Sequence, residues 1–223
     1  MMHQRISKKI FIYLLIFFSL VTINNTRLSN DFFRVKKFNI EGLNDSEIKK
    51  INNDIEIFKN VNIFSFDKKN ISKKIFSNKV IEEFKVFKNY PSTINIEIKK
   101  TKFLATTKKN DKDYLIGTNG NFIEVNNISL DLPYIFGNVG AENFLHFKEI
   151  IDNSKFNFYE IKYLYYFKSN RWDIMTKNGL TIKMPFDLTE TKLNLIYKII
   201  KKNNFNDTKI IDFRQNNLMV VNE

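Results

Sequence analysis

The chain has no cysteine, only two histidines and only six glycines among its 223 residues. Without cysteine it forms neither disulfides nor thiolate metal sites, so its stability must come from packing. His3 and His146 cannot build a His-rich metal centre or a Ser-His-Asp set. The glycines, at 42, 117, 120, 137, 140 and 179, have no phosphate-cradling spacing. We therefore expect no catalytic residue, no metal ligand and no cofactor.

The residues that most resemble catalytic or binding groups are explained by structural roles. His146 lies off the apolar stripe of a helix predicted over 141–153, which is typical of a surface histidine. Asp111 and Asp113 lie in a Lys-Asn-Asp-Lys-Asp turn, where their side chains serve the turn itself. Trp172, the only tryptophan, is predicted to pack inside the second half of the chain.

Acidic residues are absent from the start of the chain. Arg5, Lys8 and Lys9 precede an apolar run from Ile10 to Ile23, and no Asp or Glu occurs before Asp31. Positive charge of this kind stays on the cytoplasmic side of a membrane. The pattern predicts a cytoplasmic N-terminus and export of everything after the run.

The apolar run is short for a membrane span. Its length of about 21 Å falls below the roughly 30 Å hydrocarbon core, although 10–26 reaches about 25 Å if flanking basic side chains snorkel. A secretory signal peptide is one alternative, but the first alanine is Ala105 and 22–27 offers no small-residue cleavage site. A buried core helix is another. The sequence favours a cytoplasmic tail over 1–9 and an uncleaved anchor with a short linker over 10–29.

The formal net charge of +12 raises the question of nucleic-acid binding. The lysines are scattered among Asn, Ile and Phe and form no stripe with interleaved aromatics. We expect no nucleic-acid partner. Attraction to anionic lipid headgroups is compatible with the same charge.

The first third of the sequence after the apolar run predicts secondary-structure elements in the order β-α-α-β-β. The expected elements are a strand over 35–40, helices after Asn44 and after Asp67, and strands over 80–87 and 94–98. Asn44 and Glu47 form a capping box, and Asp67 is an N-cap. A change of alternation at Lys36 and Lys37 predicts a bulge.

The remainder predicts a β-rich domain with two helices. Strands are expected over 102–107, 114–117, 122–125, 159–167, 172–176, 180–184, 209–214 and 218–221. The helices are expected over 141–153 and from a capping box formed by Asp187 and Glu190. Asn119-Gly120 and Asn178-Gly179 predict type I′ turns. The strand over 218–221 is expected at a sheet margin, with unpaired backbone groups.

An ordered series of segments is similar to the FtsQ/DivIB family of bacterial cell division proteins. The segments are 35–42 (Val-Lys-Lys-Phe-Asn-Ile-Glu-Gly), 88–98, 114–122, 132–137, 171–179 and 211–214 (Ile-Asp-Phe-Arg), and the resemblance covers about 33–221. It implies an α+β chain with a single N-terminal transmembrane helix, a POTRA domain over 33–100, and a mostly antiparallel β-domain with two helices over 101–223 that ends in an edge strand.

The resemblance also implies a function. A family member is a non-enzymatic inner-membrane scaffold of the division septum, with its C-terminal domain in the periplasm, which links early and late divisome proteins. Its terminal strand pairs with FtsB in complex with FtsL, and its POTRA domain and anchor contact other divisome proteins. The implied partner-binding residues are Arg171, Arg214, Gln215, Asn217, Leu218, Met219, Val220 and Val221. The alternative is another POTRA-bearing exported protein of outer-membrane assembly or transport, although neither tandem POTRA repeats nor a C-terminal barrel pattern is apparent in the sequence.

Overall fold

A computed structural model describes residues 8–25, 31–127, 129–203, 205, 208–215 and 218–222. The chain divides into two compact units. The first comprises 1–78 with 83–99, and the second comprises 79–82 with 100–223.

The first unit has the predicted β-α-α-β-β order after an N-terminal helix. Its elements are α1 (Lys8–Asn25), β1 (Lys37–Glu41), α2 (Asp45–Ile55), a 3-10 turn (Glu56–Phe58), α3 (Lys68–Phe76), β2 (Ile81–Asn89) and β3 (Thr93–Lys100). The sheet order is β1-β3-β2, and β1 runs parallel to β3.

Helix α1 exposes every side chain from Lys8 to Thr22. Within the part of the chain that the structure describes, no helix combines the length and the apolar character needed to cross a membrane.

Capping side chains fix where α2 and α3 begin. The predicted capping box is confirmed: Asn44 Oδ1 accepts from the Glu47 backbone N–H at 2.9 Å, and Glu47 Oε2 accepts from the Asn44 N–H at 3.1 Å. Asp67 accepts from the Lys69 N–H at 3.1 Å and caps α3. The apolar residues of both helices are buried with those of the sheet: Ile51, Ile55, Ile71, Ile75, Phe38, Ile40, Phe84, Ile94, Ile96 and Ile98.

The predicted irregularity before β1 is also confirmed. The backbone N–H groups of Lys36 and Lys37 both point to the carbonyl of Ser92, at 2.8 and 3.4 Å, so two residues face one. Val35, which is fully buried, pairs instead with the segment 60–61. The regular strand therefore starts at Lys37, two residues later than the apolar pattern predicts.

The second unit contains the remaining strands, two α-helices and a 3-10 turn (Phe158–Glu160). Its elements are β4 (Phe103–Lys109), β5 (Lys112–Gly117), β6 (Phe122–Val125), β7 (Tyr134–Phe136), α4 (Ala141–Asn153), β8 (Ile161–Tyr166), β9 (Trp172–Thr176), β10 (Thr181–Lys183), α5 (Glu190–Lys202), β11 (Ile210–Asp212) and β12 (Val220–Asn222). Among the described residues the strands form one sheet in the order β12-β11-β10-β9-β8-β7-β4-β5-β6. Most neighbours are antiparallel, and β4·β7, β7·β8 and β10·β11 are parallel.

The core of the second unit joins one face of this sheet to α4 and α5. It contains Phe144, Phe147 and Ile151 of α4 and Leu193 and Ile196 of α5. Trp172 packs there as predicted, because its ring stacks on Phe147 with 4.4 Å between centroids. Only 6% of its surface is exposed.

Three predictions for the second unit are wrong in detail. The side chain that caps α5 is Thr189, which accepts from the Lys192 N–H, whereas Asp187 forms an ion pair with the Lys192 ammonium. Gly120 and Gly179 have positive φ, but the asparagines before them do not, so both turns are type I followed by a left-handed glycine. The three-residue strand β7 was not predicted, because it is too short to display alternation.

Candidate partner-binding edge

Strand β12 lies at one margin of the nine-stranded sheet, as the sequence predicts, but it covers Val220–Asn222 and not 218–221, so Leu218 and Met219 precede it. It pairs antiparallel with β11 through Ile210 with Asn222, Ile211 with Val221, and Asp212 with Val220. No strand of the described chain lies on its other side. The side chains of Val220 and Val221 are 50% and 40% exposed. A strand in this position offers backbone donors and acceptors to another chain.

An apolar groove of about 260 Å³ lies beside this edge. Helix α5 contributes Leu195, Ile196 and Ile199 to one wall, and the segment around β11 and β12 contributes Phe213, Leu218 and Met219, among others. Leu195 is 58% exposed although it belongs to a helix of the core. The groove can therefore receive an apolar side chain from a strand paired with β12.

Asp212 and Arg214 form a charged fork where β11 ends. Arg214 Nε lies 2.9 Å from both carboxylate oxygens of Asp212, and Arg214 Nη2 also contacts Oδ2. The Arg214 backbone N–H donates to the same carboxylate at 2.9 Å. The side-chain hydrogen bond from Arg214 holds the pKa of Asp212 below its ordinary value, and the same bond raises the pKa of Arg214.

The fork belongs to a row of alternating charges across three strands. Asp173 of β9 is opposite Lys183 of β10, and Lys183 is opposite Asp212 of β11. Arg171 and Arg214 lie at the two ends of this row. Since opposite charges alternate along it, the row is an electrostatically paired strip on the sheet face.

Asp173 is the most enclosed member of the row, with 5% of its surface exposed. Burial raises the pKa of its carboxyl, and the charge of Arg171 only partly opposes this effect. Arg171 Nε lies 3.4 Å from Asp173 Oδ1, and the guanidinium carbon lies 4.2 Å from the ring centre of Phe167. In the described structure Arg171 Nε has no hydrogen-bond partner.

The structure brings together most of the residues predicted to bind a partner. Arg214, Gln215, Leu218, Met219, Val220 and Val221 all lie on or next to the β11–β12 margin. Asn217 falls outside the described residues. Arg171 lies in the turn between β8 and β9, and β10 and β11 separate β9 from β12. At about 4.8 Å per strand, that is a separation of roughly 14 Å.

The groove wall formed by α5 was missed at the sequence level. Leu193, Ile196 and Ile200 lie at helical spacing and predict the buried stripe of this helix, whereas Leu195 and Ile199 lie outside that stripe. These two apolar residues are spaced four apart beside the stripe, which makes the apolar face wider than one contact surface requires. That extra width is the signal that could have indicated a groove.

No group of three or more His, Asp or Glu residues that could hold a metal ion occurs in the described part of the chain. His146 is exposed on α4, as predicted. Asn110 and Asp111 both have positive φ, at 49° and 62°, which is the geometry of a tight hairpin turn between β4 and β5.

Comparison with known families agrees with this architecture. A family model described as POTRA domain, FtsQ-type, matches residues 33–100, so the first unit contains a POTRA domain of the FtsQ type. A second model, Cell division protein FtsQ/DivIB, C-terminal, matches residues 105–214. Together the two matches span most of the chain, which belongs to the FtsQ/DivIB family of cell division proteins.

One solved structure with similarity is the major extracytoplasmic domain of the trans isomer of the cell division protein DivIB from Geobacillus stearothermophilus. It is 9% identical in sequence, the match covers 48% of this chain and 98% of that chain, and the TM-score is 0.34. Comparison with curated proteins gives no match.

Proposed function

We propose that this protein is a non-enzymatic scaffold of the division machinery that links early and late division proteins outside the cytoplasm, and that β12 pairs with FtsB in complex with FtsL. The observation that carries the proposal is the position of β12 at the sheet margin, with exposed valines and one open backbone edge. An added strand draws its affinity from main-chain hydrogen bonds, while alternate side chains provide specificity.

The groove beside β12 supplies that specificity. An apolar side chain of the added strand would lie against Leu195 and Met219, which are 58% and 37% exposed without a partner. The Asp212–Arg214 fork lies where the same edge ends. Its charged groups, which are held by hydrogen bonds, would limit the apolar contact surface on that side. Arg171 would act at the far end of the charged row and not on the added strand itself.

The proposed membrane attachment is α1. Its 18 residues correspond to about 27 Å of helix, and its described apolar side chains are exposed. Snorkelling by Lys8 and Lys9 and slight thinning of the bilayer would close the remaining gap to the hydrocarbon thickness. The N-terminus would be cytoplasmic, and the POTRA domain (33–100) and the β-domain (101–223) would be periplasmic at the septum. The POTRA domain and the anchor would contact other divisome proteins.

The direct test is capture of FtsB and FtsL by the full chain and by a chain that lacks 215–223. We expect the shortened chain to lose both partners. The fluorescence emission maximum of Trp172 should stay at the wavelength of a buried tryptophan, which shows that the domain is still folded. Normal capture of FtsB and FtsL by the shortened chain would show that the partner-binding surface does not include β12. A reporter fused after β12 separately tests export, and a cytoplasmic signal would contradict the proposed topology.

The second candidate function is another POTRA-bearing exported protein of outer-membrane assembly or transport. The match of residues 105–214 to the FtsQ/DivIB C-terminal model favours the division role over this alternative.

A further inference from the structure

Four aromatic rings form a row on the surface of the first unit. The ring of Phe32 lies 5.0 Å from that of Phe33, Phe33 lies 5.1 Å from Phe64, and Phe64 lies 5.2 Å from Tyr90, measured between centroids. We call these four residues the aromatic row. Since each ring contacts the next, they form one continuous apolar surface.

All four rings of the row are exposed. Phe32, Phe33, Phe64 and Tyr90 expose 49%, 37%, 58% and 53% of their surface. The core of the same unit is built mainly from isoleucines, and none of these four rings belongs to its buried residues. Contiguous exposed apolar surface of this kind marks an interaction site.

Ordered backbone holds the row in place. The Val35 N–H donates to the carbonyl of Val61 at 2.9 Å, and the Ile63 N–H donates to the carbonyl of Phe33 at 2.8 Å. The Phe64 N–H donates to the side chain of Asn62 at 2.9 Å. Phe33 and Phe64 are therefore presented by paired segments, and their positions need no partner to be defined.

The charges around the row are mostly positive. Lys36 and Lys37 are exposed next to the turn that carries Tyr90, since their N–H groups both point to Ser92. Lys88 Nζ donates to the carbonyl of Phe64 at 3.0 Å. Arg34 pairs with Asp31 at 3.1 Å, so one carboxylate is matched by one guanidinium and the three lysines remain in excess.

The row also lies close in sequence to α1. Phe32 is seven residues beyond Asn25, the last residue of that helix. Seven residues span at most about 25 Å when fully extended. A bilayer that contains α1 is consequently within reach of the row.

We propose that the aromatic row inserts into the interfacial layer of an anionic bilayer and docks the POTRA domain on the membrane. This inference rests on the membrane attachment of α1 proposed above. Aromatic rings favour the headgroup level, where an apolar body and a polar tip such as the Tyr90 hydroxyl are both satisfied. The lysines beside the row would meet lipid phosphates, which adds attraction on an anionic surface.

The absence of cysteine makes a clean test possible. The full chain carrying Phe64→Cys is labelled with an environment-sensitive fluorophore and reconstituted into vesicles of phosphatidylethanolamine and phosphatidylglycerol. Phe76→Cys is the matched control, because Phe76 is a 48% exposed phenylalanine of the same unit whose ring contacts Phe84 and none of the row. Tyr90→Cys repeats the measurement at the other end of the row. Circular dichroism checks that each labelled chain is folded.

We expect a blue shift and several-fold stronger quenching by brominated lipids at positions 64 and 90 than at position 76. The difference should shrink in phosphatidylcholine vesicles and in a Lys36→Gln, Lys37→Gln background. If the chain floats with the vesicles but positions 64 and 90 respond like position 76, membrane docking of the row is wrong while the anchor stands. If the chain does not float, the anchor and the docking are both overturned.

Discussion

Arg214 binds the carboxylate of Asp212 with its Nε 2.9 Å from both oxygens, while Asp173, in the same cross-strand row, is buried beside a more distant cation. The two carboxylates therefore respond to the protein in opposite ways. The pKa of Asp212 is lowered by Arg214, and that of Asp173 is raised by burial. This contrast allows each group to be tested by its own pH dependence.

The first prediction concerns Asp212. Because its folded-state pKa lies below its unfolded value, its contribution to stability is present above the ordinary value of 3.8 and is lost as pH falls through the folded pKa. Asp212→Asn should remove this acid-side loss. The measurement is the midpoint of urea unfolding as a function of pH, with unfolding monitored by the fluorescence of Trp172. An unchanged pH profile in the variant would contradict the role of the fork.

Asp173 should behave in the opposite way. Its folded-state pKa lies above the ordinary value of 3.8, so the folded protein holds the proton more tightly and stability falls as pH rises through that window. Asp173→Asn should flatten this part of the same urea profile. A steeper fall with rising pH in the variant would show that Arg171 controls the carboxyl more strongly than burial does.

The third prediction concerns the open edge of β12. Successive N–H groups of an antiparallel strand point alternately to the neighbour and to the open side. Val220→Pro and Val221→Pro therefore each remove a different donor, one toward β11 and one toward an added strand. Both should weaken FtsB capture, by about 3 kcal/mol for a lost and clashing ladder position.

Val220→Thr is the matched control, because threonine is also β-branched and keeps the backbone N–H. It should capture FtsB nearly as well as the unchanged chain. Normal capture by both proline variants would rule out strand pairing at this edge.

The fourth prediction compares two glycines with the same backbone angle. Gly42 and Gly179 both have φ of +93°, but a Cβ at 42 would lie 1.9 Å from the Ile98 carbonyl oxygen, whereas a Cβ at 179 meets nothing within 4 Å. Gly179→Ala should cost about 1–2 kcal/mol from backbone strain alone. Gly42→Ala should cost about 3 kcal/mol or more, because strain and overlap add.

Hydrogen exchange of peptides covering 37–41 and 93–98 reports on Gly42→Ala, and Trp172 emission in urea reports on Gly179→Ala. Equal losses of stability in the two variants would mean that the backbone around Ile98 moves away without cost.

The fifth prediction concerns residues expected to have no chemical role. His146→Ala, Asp111→Ala and Asp113→Ala should each support division in a depleted strain. At the two exposed positions, 146 and 111, stability should change by no more than about 0.5 kcal/mol, as is usual at surface positions. An indispensable side chain among the three would reopen the question of catalysis.

The first unit could be predicted well because its signals are local. The Asn44 capping box and the isoleucines at 51, 55, 71 and 75 define the helices within a few residues. In the second unit β7 was missed, since a three-residue strand held by parallel neighbours depends on distant pairing. The start of α5 differs from the prediction because Asp187 and Thr189 are both good caps, and in the structure Thr189 caps the helix while Asp187 pairs with Lys192.

The candidate site was predicted only in part. The open edge could be inferred from the strand pattern at 218–221, and its residues from the family resemblance. The groove could not be inferred, because it forms only when Leu195 of α5 meets Met219. These two residues are more than 20 positions apart in the sequence. The link from Arg171 to Arg214 also depends on cross-strand register, which a single sequence does not contain.

The parallel pairing of β1 with β3 has a mechanical consequence. Tension along the chain reaches the start of β1 through residues 33–35, which pair with 60–63, and leaves at the end of β3. It therefore pulls β1 and β3 in opposite directions along their length. The pairs from Lys37 with Thr93 to Glu41 with Glu97 would then bear the load together and could not be unzipped one at a time. Shear of this kind makes the unit a stiff coupling between whatever holds residue 31 and whatever pulls on residue 100.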